Sequence, residues 1–141
     1  MSGGLVLRLK PFEKFILNGV LMQNGDRRAT LTVKSEGASL LRMRDAIHPD
    51  DVDTPLKRLC YTAQLVVAGS KAADEAAQEL MPGIDEIDAA FGAPATTERL
   101  DKVRSLILED SFYLALRELR SLLPLEEMLL NNAPETFRRS A

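Results

Sequence analysis

The chain is short of the side chains that carry most enzyme and metal chemistry. Its 141 residues include one histidine, His48, one cysteine, Cys60, and no tryptophan. A zinc site takes three or four nitrogen or sulfur ligands, more than this chain can supply without many carboxylates. A Ser-His or Cys-His nucleophile would have to recruit His48, which precedes Pro49 in a polar stretch. No serine sits in a strand–nucleophile–helix motif. Gly19, Gly25 and Gly37 are spaced for turns, and Gly3-Gly4 stands at the start, so no glycine-rich phosphate loop is present. Asp50-Asp51-Val52-Asp53 lacks the glycine and distal glutamate of a calcium loop. It reads instead as turn-formers and a helix-start charge cluster. No catalytic residue, metal site or cofactor is expected.

Other absences set the compartment. A lone cysteine forms no intrachain disulfide and suits a reducing environment; Cys60 reads as a small apolar core residue. The apolar runs, such as Leu65 to Ala68, are far too short to span a bilayer. Met1 to Leu9 lacks the pattern of a signal peptide. A cytoplasmic protein with no membrane partner is the expectation.

What is present is an ordinary folding composition, 45% hydrophobic and 28% charged, beyond the apolar content of disordered chains. With seven Phe and Tyr residues in all, the core must be made of Leu, Val, Ile, Met and Ala. Net charge is −3, but it is unevenly spread. Residues 1–44 hold eight basic and three acidic residues, while residues 59–141 hold eight basic and fourteen acidic. Such asymmetry hints at an anionic partner for the basic half, with a solvated face as the plain alternative.

Alternation dominates the first 44 residues. Leu5, Leu7 and Leu9 share one face of a strand, with Val6, Arg8 and Lys10 on the other. Asn18-Gly19 between apolar runs is a hairpin signal. Asn24-Gly25 is a second, so close that one of the two should be a bulge or wider loop. Ala29, Leu31 and Val33 alternate with Arg28, Thr30 and Thr32, and a last strand is read over Ala38 to Met43. These make an antiparallel meander or small barrel-like sheet. Thr54-Pro55 then reads as an N-cap and first helical residue, opening a helix to about Leu80 that Gly69-Ser70 could split. Met81-Pro82-Gly83 is read as its stop. Ile84 to Phe91 would add two turns ended by Gly92, and Ala93-Pro94-Ala95 a loop. The clearest helix would be capped by Thr96 or Thr97 and run to Leu123, with a Glu98–Lys102 pair on its surface. The predicted fold is α+β: a basic β lobe over 1–53, an acidic α-helical lobe over 54–134 and a tail at 135–141.

Two sets of residues are candidates for binding. In the β lobe, Lys10, Lys14, Arg27, Arg28, Arg42 and Arg44 punctuate strands and turns, and guanidinium forks suit phosphate oxygens. Phe12, in the turn after Pro11, is placed to stack on an unpaired base. Of the adjacent Arg27 and Arg28, one should point to each side of the strand. In the α lobe, Leu108, Phe112 and Leu119 lie in a wide apolar stripe suited either to receiving a partner helix or to packing within the chain.

Several of these residues also carry a family likeness. Leu9-Lys10-Pro11-x-Glu13-Lys14, Asn18-Gly19, Asn24-Gly25-Asp26-Arg27-Arg28, Leu41-Arg42, Ile47-x-Pro49 and Thr54-Pro55-x-x-Arg58 occur in the order seen in the FlbT flagellar regulators of alphaproteobacteria. The chain resembles that family in length as well. Phe12 departs from the pattern, since a glycine is expected between the proline and the glutamate. The resemblance implies a post-transcriptional repressor of flagellin without enzymatic activity. Such a protein would associate with the 5′ untranslated leader of flagellin messenger RNA, lower its translation and promote its decay. FlaF, a small regulator of opposite effect, is the counterpart the resemblance implies. Two mechanisms are open: direct RNA contact by the β lobe, or a protein adapter that binds flagellin or FlaF through the α lobe. Exposed edge strands raise homo-oligomerisation as a further expectation.

Overall fold

A computed structural model describes residues 5–132 of the chain, so the expected tail at 135–141 lies outside the described residues. The β-then-α order is as expected. The strands, however, do not follow one another as neighbours in a single meander, and they close no barrel. β1 (Leu5–Leu9) pairs antiparallel with β4 (Ala29–Val33). β2 (Lys14–Leu17), β3 (Val20–Gln23) and β5 (Leu40–Arg42) form a second antiparallel sheet in the order β3-β2-β5. Leu7 and Leu9 from the first sheet meet Phe15 and Leu40 from the second in one small apolar cluster. Burying that face of each sheet is what the alternation encodes.

The turns follow local chemistry. Asn18 and Gly19 take φ of 52° and 81°, the two positive angles of a two-residue hairpin between β2 and β3. The Asn24-Gly25 pair instead opens the wider loop into β4, where Asn24 Nδ2 donates to the carbonyls of Lys10 and Arg27, both at 2.8 Å. Every residue of β3 is exposed, at the edge of its sheet. β5 is shorter than expected because Met43–Asp45 already turns into a single 3-10 turn.

α1 (Pro55–Val67) starts as read from sequence, with Thr54 Oγ1 accepting from the Lys57 N–H at 3.2 Å. Glu126, from the far end of the chain, completes that cap. Its carboxylate accepts from the Leu56 N–H at 2.9 Å and from the Thr54 hydroxyl at 2.6 Å. Pro55 has no N–H to satisfy, so the first turn is fully provided for. The connector before α1 is strapped to it by Gln64, whose side chain exchanges two hydrogen bonds with the Ile47 backbone, at 2.8 and 2.9 Å.

The helix boundaries beyond α1 depart from expectation. The split at Gly69-Ser70 is real, but α2 (Ala73–Phe91) runs straight through Pro82 to Gly92. Its buried stripe of Ala76, Leu80, Ile84 and Ile87 is continuous across the proline, and that packing outweighs one missing hydrogen bond. Gly83 is there for space: a methyl group on it would stand 2.5 Å from Leu59 Cδ2 of α1. α3 (Pro94–Leu108) has Ala93 at its cap position, three and four residues before the expected threonine caps. Thr96 is buried, and Thr97 donates its hydroxyl to Asp88 rather than capping. α3 also ends well short of Leu123. Asp110 adopts φ of 59° and the Ser111 N–H closes on the Leu106 carbonyl at 2.8 Å, the left-handed stop usually supplied by glycine. α4 (Phe112–Ser121) and α5 (Leu123–Asn132) complete the lobe. Lys102 reaches across to Glu118 on α4, 3.3 Å away, and not to Glu98.

The helices share one core that includes Leu56, Leu80, Ile84, Leu100, Ile107 and Leu116, each burial worth roughly 1.5–3 kcal/mol. Cys60 lies within it, and desolvation pushes its thiol up to about 12. Leu41 of β5 belongs to this same core, and Tyr113 of α4 touches both clusters, so the two lobes are joined by apolar contact.

Candidate nucleic-acid interface

The outward face of the first sheet carries the charge. On β1 the exposed residues are Val6 and Arg8, followed by Lys10; on β4 and just before it Arg28, Thr30 and Thr32 are exposed among others. Arg8 stands opposite Thr30 in the strand register. Together with the end of β5 these walls enclose a cleft of about 770 Å³, lined by Arg8, Lys10, Arg28, Arg42 and Arg44 among smaller residues. Five cations converge there although the whole chain is acidic.

They are not equivalent. Arg42 is consumed by the fold. Its Nε and Nη2 meet the two oxygens of Glu13 at 2.7 and 2.8 Å, and Nη2 also donates to the Arg8 carbonyl at 2.7 Å. The side chains of this pair are 14% and 8% exposed. The Arg42 hydrogen bonds, then the Lys10 N–H at 3.0 Å, hold the Glu13 carboxyl down to about 2. Arg42 is therefore the brace between the two sheets and the floor of the cleft, and the expectation that it is a free phosphate ligand is corrected. Arg44 is half exposed and stands 3.9 Å from Glu13 and 4.0 Å from Asp45, at the outer limit of ion pairing. Arg8, Lys10 and Arg28 have no carboxylate side-chain partner among the described residues.

Of the residues singled out from sequence, the structure brings Lys10, Arg28, Arg42 and Arg44 together and leaves Lys14, Arg27 and Phe12 outside the cleft lining. Arg27 lies in the bend before β4 and both arginines are exposed, but only Arg28 lines the cleft. Lys14 begins β2, exposed, opposite Gln23. Arg8, not among the candidates read from sequence, also lines the cleft. Its signal was the alternation that groups it with Lys10.

Phe12 occupies the third position of a tight turn, Lys10 to Glu13, closed by the Glu13 N–H on the Lys10 carbonyl at 3.1 Å. It takes φ of 60°. With proline before it, this is the position where a type II turn asks for glycine, so the turn stays tight although the residue is a phenylalanine. The residue is 61% exposed. Its backbone N–H donates to the Gly25 carbonyl at 2.8 Å, which ties the turn to the Arg27 loop.

The apolar stripe of the α lobe resolves the other way. Phe112 and Leu119 are 4% and 0% exposed, inside the helical core, so no partner reaches them. Their helical spacing encoded packing within the chain, and their expected place at a partner surface is corrected. Leu108 alone of the three faces out, at 78%. No helix of the described residues is long and apolar enough to cross a membrane.

Comparison with known proteins adds the family. The family described as "Flagellar protein FlbT" matches residues 5–130. The chain is 30% identical over 128 residues to the "Flagellum biosynthesis repressor protein FlbT" of Caulobacter vibrioides, covering 91% of this chain and 90% of that one. It is 31% identical over 131 residues to a "Probable flagellum biosynthesis repressor protein FlbT" of a Chelativorans species, covering 93% and 89%. To the protein of the same description in Rhodopseudomonas palustris it is 33% identical over 128 residues, covering 90% and 98%. No solved structure matches the chain.

Proposed function

Because the chain belongs to the FlbT family of flagellar proteins, we propose that it is a post-transcriptional repressor of flagellin synthesis that grips the 5′ leader of flagellin messenger RNA in the basic cleft of its β lobe. Occupying the leader lowers translation and leads to decay of the message. The repressor role follows the names of its relatives. Direct contact with RNA is supported by one observation above the rest: Arg8, Lys10, Arg28 and Arg44 line a single cleft, above a floor already neutralised by Glu13.

The chemistry of the grip is that of phosphate recognition. Guanidinium groups offer forked donors to phosphate oxygens, and exposed ones lose little on binding because they are not taken from a carboxylate. Phosphate contacts set affinity and register, while unpaired bases supply selectivity. Phe12, at the third position of the Lys10–Glu13 turn, is available as a stacking surface.

A titration of the purified protein with a flagellin leader RNA and a scrambled RNA of equal length, at several salt concentrations, tests this. Four phosphate contacts give a slope of log affinity against log salt of about −3. Arg8→Glu with Arg28→Glu should weaken binding at least tenfold while leaving the thermal midpoint within a few degrees. Wild-type affinity in that double variant refutes the cleft. A complex with flagellin or FlaF that survives ribonuclease, without any affinity for RNA, would replace this reading with the adapter.

A further inference from the structure

The helical lobe is acidic, yet its cations are sorted. Among the described residues beyond α1, Lys71 is held by Glu79, Lys102 by Glu118, and Arg104 by Asp85, Asp88 and Asp101. Arg99, Arg117 and Arg120 have no carboxylate partner within the helical lobe among the described residues, and all three gather at one place. Arg117 and Arg120 line a depression of about 550 Å³ with Ser121, Leu123 and Pro124. Arg99 reaches its rim from α3, donating to Ser121 Oγ at 2.7 Å. Arg99 and Arg117 have no carboxylate partner among the described residues.

Helical geometry aligns this group. Tyr113, Arg117 and Arg120 fall at i, i+4 and i+7 on α4, one face of the helix. The Arg117 guanidinium lies over the Tyr113 ring, 6.0 Å from its centre. Tyr113 packs on the β-lobe cluster, so this face of α4 borders the β lobe. The opposite end of the row borders the cleft itself. Asp45 Oδ1 is 4.0 Å from Arg44 Nε and 3.8 Å from Arg120 Nη2, which puts those guanidinium groups no more than about 8 Å apart.

We propose that α4 continues the polyanion track, so that a single-stranded RNA leaves the β-lobe cleft past Arg44 and is held further by Arg120, Arg117 and Arg99 around the second depression. This extension rests on the reading of the cleft as an RNA site. Asp45, the one carboxylate shared by Arg44 and Arg120, tempers the junction. Half exposed between two arginines, it lowers the attraction for phosphate where the strand crosses from one lobe to the other.

The test uses the full chain, fluorescent oligouridylates of about 5 and about 20 nucleotides, and anisotropy at several salt concentrations. Arg117→Ala with Arg120→Ala should weaken the long oligomer fivefold or more and reduce its salt slope by about 1.4, the share of two phosphates. The short oligomer should be weakened less than the long one. Asp45→Asn should tighten the long oligomer two- to fivefold, a gain that no misfolded variant would give. If the long oligomer binds both variants like the wild type while Arg8→Glu with Arg28→Glu abolishes binding, the α4 extension is wrong and the cleft stands. If the wild type binds neither oligomer nor leader RNA, the cleft reading falls and the extension with it.

Discussion

Removing the charge of Glu13 should unfasten the two sheets in a way that pH reveals. Its carboxyl is held down from an ordinary 4.5 to about 2, first by the Arg42 hydrogen bonds and then by the Lys10 N–H. A group with a lowered folded value adds stability above its unfolded value and forfeits it as pH falls through the folded one. The window is therefore about pH 5 down to about pH 2. At 1.36 kcal/mol per unit the full shift would amount to about 3 kcal/mol. Solvent entering from the cleft screens the pair, so about 1–2 kcal/mol is the expected share. Glu13→Gln keeps the size of the side chain and removes the charge. Urea unfolding followed by circular dichroism, at pH 7, 5, 4, 3 and 2.5, should show the variant less stable by that amount at pH 7. The gap should narrow steadily below pH 5. Asp53 and Asp88 also titrate low, but they are common to both proteins and cancel in the difference. A gap that stays constant from pH 7 to pH 2.5 would mean that Glu13 acts through its shape and not its charge.

Phe12→Gly should stabilise the fold by up to about 1 kcal/mol, because it relieves a left-handed phenylalanine. If Phe12 stacks on RNA, the same change weakens leader binding, so denaturation and titration should move in opposite directions. Gly83→Ala drives a methyl group into Leu59 and should cost about 1–3 kcal/mol, read as a lower thermal midpoint; Gly83→Ser should do no better. Glu126→Ala leaves the Leu56 N–H unsatisfied in the core and should cost about 1–3 kcal/mol, seen as faster hydrogen exchange at the start of α1.

What the sequence disclosed was local. Asn18-Gly19, Thr54-Pro55 and the Leu7, Leu9 alternation each carry their own geometry, and the structure realises all three. What it concealed was set by distance or by the packing partner. Nothing near Leu5–Leu9 indicates that β4, rather than β2, is its neighbour. Pro82 reads as a stop because the gain from packing Leu80 and Ile84 on α1 is invisible in one dimension. Asp110 ends α3 in a conformation that sequence assigns to glycine. The candidate site was legible in part for the same reason. Lys10 and Arg28 sit on faces that strand alternation predicts. The partnership of Arg42 with Glu13, 29 residues away, and the approach of Arg120 to Asp45 are products of the tertiary fold. Periodicity likewise cannot tell a buried stripe from a docking stripe, which is how Phe112 and Leu119 came to be placed on a surface.

The carboxylate of Glu126 closes the first turn of α1 from 70 residues downstream. On the ribosome, that helix emerges long before its cap is synthesised. The strands can pair and the hairpin can form as they are made, but the opening turn of α1 lacks its Glu126 acceptor until that residue has emerged. Completion of that first turn thereby waits on residue 126, and a nascent chain truncated before it should be more open to proteolysis at the start of α1.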